Sequence, residues 1–166
     1  MKAIFLFLVL GISPLLAGDP IKAGNFEFQP PAPWIAEDYP SHMVKGALRH
    51  SAKAPLLKIF HFGPSRDSGI EANIKRWKKE FEGEVKITPE KKIYGMQEVA
   101  IVTMEGIFLD GGIMERKTEK EGWSLLGAII PHETGDVTLK VAGPSAEIVK
   151  MKKDFEELLA SAFPGK

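Results

Sequence analysis

Four histidines, His42, His50, His61 and His132, are the side chains of this 166-residue chain best suited to proton transfer or metal ligation near neutral pH. Met43 lies beside His42, and imidazole with thioether suits copper. The spacing contains no H-E-x-x-H and no histidine pair four residues apart on a helix. Two readings therefore stand: a copper or zinc site assembled by the fold, or ordinary strand histidines. His50 and His61 flank a predicted hairpin, and the first reading has them approach each other across it. Among the carboxylates, Glu37-Asp38 follows Trp34 in a proline-bounded segment with the composition of a sugar-binding loop. With His61 these acids are the set a hydrolase or carbohydrate-active enzyme would use, provided that one pocket holds at least two of them. The competing reading has Trp34 plugging the end of the core. Glu156 and Glu157 are neighbours on a predicted helix, so they do not face each other and belong to a solvated surface.

Nucleophile and phosphate motifs fall short. Gly63-Pro64-Ser65-Arg66 lacks the second glycine of a G-x-S-x-G elbow, and neither a Walker A sequence nor a strand–G-x-G-x-x-G–helix unit is present. The chain has no cysteine, which removes thiol nucleophiles, disulfides, iron–sulfur clusters, cysteine zinc sites and a lipid-modified N-terminal cysteine together. Twenty-two basic residues balance 22 acidic ones, so no overall field draws the protein to nucleic acid or an anionic membrane. No catalytic residue, metal or cofactor is assigned from the sequence.

What remains is binding. Lys75, Arg76, Lys78 and Lys79 form a basic cluster opposite the apolar stripe of a predicted helix. It is either a docking surface for an acidic partner or a solvated face, with Glu80, Glu82 and Glu84 interrupting the positive charge. Asn73, one turn before Trp77, is placed to bind a ligand or to tie down neighbouring backbone. The candidate ligand or partner residues are accordingly Trp34, Asn73, Lys75, Arg76 and Lys79.

The elements that must position them follow from pattern. Residues 1–17 join one lysine, an unbroken apolar run and Ala17, the parts of a cleaved signal peptide, with Ala17 or Gly18 the last residue removed. A membrane span would need ~20 consecutive apolar residues. Residues 18–24 read as a short linker and 25–166 as a single domain, with 44% hydrophobic and 27% charged residues overall. Removal of Lys2 leaves 21 basic against 22 acidic residues. An exported domain of this kind folds by packing alone, without covalent staples.

Residues 25–29 alternate as a strand ended by Pro30-Pro31, and 42–50 with 56–62 suit an antiparallel hairpin. Ile70, Ile74, Trp77 and Phe81 recur at helical spacing, with Ser68 and Glu71 as a capping box and Gly83 as the stop. After residues 88–92, the segment 96–109 is apolar on both faces, as a covered central strand is. Residues 110–122 form a charged loop or extended hairpin, and 123–130 with 136–142 are two further strands. Ser145 caps a second helix with apolar positions Ile148, Met151, Phe155, Leu158, Leu159 and Ala162. The order predicts an α+β fold: a mainly antiparallel sheet of about six strands with two flanking amphipathic helices.

Phe26-Glu27-Phe28 with Pro30-Pro31 and Trp34, the mid-chain helix, the later strands and the ending Leu158-Leu159-Ala160-Ser161-Ala162-Phe163 resemble the PsbP-like α/β/α sandwich superfamily over almost all of residues 18–166. The segments 69–77, 123–128 and 141–144 are further similar to a group of exported bacterial proteins of unknown role. That group carries over no activity; the wider superfamily resemblance implies a non-catalytic binding or assembly protein, as most of its members are, and carries over no partner-binding residue. The expected protein is an exported, periplasmic or extracellular domain without stable membrane insertion, whose partner is another envelope protein or a small ligand. The alternatives are the hydrolase above and an apolar-ligand carrier with a cavity between sheet and terminal helix. The carrier reading fails if Leu125, Ile129, Phe155 and Leu159 fill that space.

Overall fold

The computed structural model describes residues 18–112 and 115–165, so the expected signal peptide lies outside the described residues. Among the described residues, nine strands and two helices follow in the order β1 (Ile21–Ala23), β2 (Phe26–Phe28), β3 (Ile35–Glu37), β4 (Val44–Arg49), β5 (Leu56–His61), α1 (Ile70–Lys78), β6 (Phe81–Tyr94), β7 (Gln97–Asp110), β8 (Thr118–Ile130), β9 (Val137–Pro144) and α2 (Ser145–Ala160). Seven of the strands make one antiparallel sheet, ordered β3-β4-β5-β9-β8-β7-β6, and β1 pairs with β2 alone. The architecture is α+β as the element order predicts, with seven main strands where the pattern suggests six.

The double-faced apolar pattern of β7 and β8 has a direct cause. Side chains alternate across a strand, and each face of this sheet supports its own helix. Leu126, Ala128 and Ile130 of β8 join Leu139 and Val141 of β9 under α2, whose Ile148, Met151, Phe155, Leu158 and Leu159 are buried. At ~1.5–3 kcal/mol per large apolar side chain, these five hold α2 firmly in place. Leu125 and Ile129 point the other way, with Val102, Met104 and Phe108 of β7, against Trp77 of α1. Of the four residues whose filling of the sheet–helix space would exclude a carrier, Phe155 and Leu159 lie in that layer while Leu125 and Ile129 lie on the other face, because odd and even positions of β8 serve different cores. Leu126, Ala128, Ile130, Leu139, Phe155, Leu158 and Leu159 are all 0% exposed, which leaves the sheet–α2 layer filled by side chains.

Both helix starts differ from the capping expectation. Neither helix is capped by the side chain of its own N-cap residue: Gly69, at φ 91°, precedes α1, and Pro144 precedes α2. Ser145 is instead the first helical residue, and its hydroxyl bonds Ser124 Oγ at 2.6 Å and the Gly122 carbonyl at 2.8 Å. α1 also stops at Lys78, before Gly83, and Phe81 opens the next strand while staying in the Trp77 cluster. Gly127 makes that cluster possible. A Cβ at this position would lie 2.3 Å from Trp77 Cζ3, so only glycine lets the indole rest on the sheet.

Three strands lie where pattern shows none. β1 falls in the segment read as a linker; its Ile21 lies over Gly46, where a Cβ would come within 2.7 Å. β3 takes in Glu37 and pairs with β4. β6 runs for 14 residues through Gly83, Pro89 and a row of charges as the outer neighbour of β7. A strand bonded on one side only tolerates proline, since its missing N–H need not enter a ladder.

Near the end of β6, Tyr94 stacks on Phe163 with centroids 4.6 Å apart. Burial, the largest influence, pushes the Tyr94 hydroxyl above the ordinary value of 10.0, while Lys92 acts in the opposite direction. A raised value in the folded state means that the native protein holds this proton more tightly than the unfolded chain. Its contribution to stability is whole below pH 10.0 and is lost as pH rises through the folded-state value. Tyr94→Phe is expected to remove this part of the alkaline destabilisation in urea titrations between about pH 9 and 11; an unchanged pH slope would contradict the assignment.

Candidate functional site

α1 covers only one end of its side of the sheet, packing on β6, β7 and β8. At its N-terminus the β5–α1 loop and the β8–β9 loop meet. Gly135, at φ 113°, would place a Cβ 2.3 Å from the Gly63 carbonyl carbon, so the two backbones touch. This contact brings in Asp136, a residue that sequence spacing does not reveal, because its partners lie 63 and 67 residues away. Asp136 Oδ2 accepts the Gly69 N–H at 2.5 Å and the Asn73 amide at 2.8 Å. It thereby does from another element what Ser68 was expected to do from its own. Negative charge is favoured at this end of a helix.

Asn73 is 2% exposed and fully engaged. Its amide also donates to the Gly69 carbonyl at 2.9 Å, and its oxygen accepts from Arg76 Nη1 at 2.6 Å. Arg76 Nη2 donates to the Asp67 carbonyl at 3.0 Å, so the guanidinium is held at two points while its side chain stays at the surface. Around this network lies a pocket of about 250 Å³ lined by Phe62, Gly63, Ser65, Asp67, Ser68, Asn73, Arg76 and Asp136. Phe62 is 55% exposed and stacks on Phe60 at 5.6 Å, giving the pocket an apolar wall.

Of the five sequence-selected residues, the fold brings together Asn73 and Arg76. Lys75 and Lys79 are exposed on the same helix and are not among the pocket-lining residues. Trp34 is 1% exposed, and its indole donates to the Asp154 carbonyl of α2 at 3.1 Å. That placement agrees with the core-plug reading. Asp136→Ala is expected to destabilise the protein by roughly 2–4 kcal/mol, since it strips one buried and one partly buried donor of a charged acceptor. Chemical denaturation checks this; a change under about 0.5 kcal/mol would mean that water replaces the carboxylate at no cost.

The histidines disperse. His50 Nε2 lies 2.5 Å from Asp154 Oδ2 at the turn end of the β4–β5 hairpin. His61 sits at the opposite end of β5, with Nε2 3.1 Å from the Thr134 carbonyl. The expected approach of these two rings across the hairpin is corrected, because the register of β4 and β5 sets them at opposite ends. His132 bonds Thr134 Oγ1 at 2.8 Å. Among the described residues, no cluster of three or more His, Asp or Glu side chains could hold a metal ion. Glu37 is paired with Arg49 Nε at 2.5 Å on β3, two strands away from His61. No helix among the described residues is long and apolar enough to cross a membrane.

No family model matches the sequence, and no curated protein matches it either. A solved structure does. Cyanobacterial PsbP (CyanoP) from Synechocystis sp. PCC 6803, a solution structure, superposes with a TM-score of 0.57 over 94% of this chain and 96% of its own, at 12% identity. The fold is PsbP-like. Agreement across nearly the whole of both chains means that the PsbP-like frame includes both helices and the long sheet. At this identity the likeness concerns architecture alone.

Proposed function

We propose that this is an exported, non-catalytic binding domain of the cell envelope, and that its small ligand or partner segment enters the pocket at the N-terminus of α1. The observation that carries the reading is the convergence of Asn73, Arg76 and Asp136 on one cavity, with an exposed aromatic wall beside them. A fully bonded amide fixes the guanidinium before anything binds, which lowers the ordering cost of recognition. The PsbP-like architecture and the dispersal of Glu37 and His61 support binding over hydrolysis. The filled layer between sheet and α2 speaks against an apolar-ligand carrier.

A photocrosslinking amino acid at position 62, with position 149 on the exposed side of α2 as control, tests the site in whole cells. A stoichiometric adduct from position 62 alone, lost on Arg76→Ala, is the expected result. Equal labelling from both positions, or substrate turnover by the purified protein with no binder found, would overturn it. Export is tested on the cell fraction outside the cytoplasm: the protein recovered there should begin at Gly18 or Asp19 by mass spectrometry, and a cytoplasmic protein retaining Met1 would refute export.

A further inference from the structure

The charges around the pocket do not neutralise one another. Arg76, Asp67 and Asp136 all line it, yet none of the three takes part in an ion pair among the described residues. Arg76 is held by neutral acceptors, the Asn73 side-chain oxygen and the Asp67 carbonyl. Asp136 is 8% exposed and spends one oxygen on two neutral donors. Its other oxygen accepts no hydrogen bond within the protein, and no sealed side-chain oxygen among the described residues lacks a partner, so Oδ1 keeps contact with solvent on a residue that lines the pocket. Elsewhere the protein pairs its charges freely, as in Lys140–Glu80 and Arg49–Glu37.

A purely anionic ligand would meet Arg76 but also two carboxylates, and a purely cationic one would meet the guanidinium; like charges brought together in a partly dry site repel. A ligand with both signs satisfies both. The pocket, at about 250 Å³, lies below the roughly 300–1,000 Å³ typical of drug-sized ligands. Its remaining wall is Phe62, which offers an apolar face. The structure assigns this pocket to a zwitterion, a free α-amino acid with an apolar side chain: carboxylate on Arg76, ammonium toward Asp136 and Asp67, side chain on Phe62. Ser65 and Ser68 supply hydroxyls at the rim. This assignment rests on the binding reading above and names its ligand class.

Isothermal titration with L-phenylalanine, N-acetyl-L-phenylalanine and L-phenylalaninamide separates the contributions. L-Phenylalanine is expected to bind in the sub-millimolar range, with each derivative at least about tenfold weaker. Arg76→Gln should weaken L-phenylalanine at least about tenfold, whereas Asp67→Asn should weaken it and strengthen the N-acetyl compound. Both changes lie on exposed side chains, and unchanged melting temperatures verify that the variants fold. Derivatives that bind as well as L-phenylalanine, or no heat with any of the three compounds, would overturn the assignment. If that occurs while position 62 still crosslinks its partner, the ligand class falls and the binding reading survives; loss of both signals removes both.

Discussion

Gly127→Ala is expected to destabilise the protein by about 3 kcal/mol, at the upper end of the usual overpacking cost. The new methyl would sit 2.3 and 2.5 Å from Trp77 Cζ3 and Cη2, with the Leu139 carbonyl at 3.2 Å, so the indole must move and the backbone behind it cannot. Trp77 is 4% exposed and anchors α1 against β7 and β8, so its displacement loosens the helix that carries Asn73 and Arg76. Trp77→Ala alone should cost about 3–5 kcal/mol through the cavity it leaves. The double variant discriminates. With the indole gone, Gly127→Ala meets no ring, and its added cost should fall below about 1 kcal/mol; such non-additivity is the mark of direct contact. Urea midpoints for the four proteins measure the cycle. Additive losses would mean that Trp77 does not lie on Gly127.

Trp34→Ala should cost about 3–5 kcal/mol, as removal of a buried indole does. The residue is a hub rather than an isolated plug. Its ring meets the His50 ring edge-on at 5.3 Å, His50 pairs with the Asp154 carboxylate, and the Trp34 indole bonds the Asp154 carbonyl. Three segments distant in sequence, the stretch before β3, the β4–β5 turn and the third turn of α2, are thereby joined. Trp34→Phe retains much of the ring but no donor, so it should recover most of the packing and still lose about 1 kcal/mol for the missing hydrogen bond. A Trp34→Ala protein that melted normally but failed to bind its partner would return Trp34 to the functional site.

Legibility in the sequence tracked the number of faces a segment buries. α2 and the β7–β8 pair are readable because their apolar positions recur at periods that water enforces. The site divides in the same manner. Asn73 stands out as a polar residue out of step with an apolar stripe and Arg76 as a member of the basic cluster opposite it, whereas Asp136 belongs to no local pattern and gains its role only when two loops touch at Gly63 and Gly135. Local capping rules failed at α1 for that reason, since the acceptor comes from 67 residues away. Trp34 was legible only as a choice between two roles, because an aromatic residue among prolines looks the same whether it faces solvent or the core.

β6 was unreadable because half of it is solvated: it carries Glu82, Glu84, Lys86, Glu90, Lys91 and Lys92, a register shift between Glu82 and Lys86, and Pro89 in mid-strand. A strand of 14 residues with one open edge is otherwise a template on which another chain can crystallise its own backbone. Here a would-be neighbour finds a donor missing at Pro89, a twist at the bulge, and charges of both signs that it would have to dehydrate. The irregularities that hide the strand from pattern reading are thus its defence against sheet growth, in a domain without disulfides where the ion pairs Lys152–Glu90 and Lys92–Glu156 tie the same strand to α2.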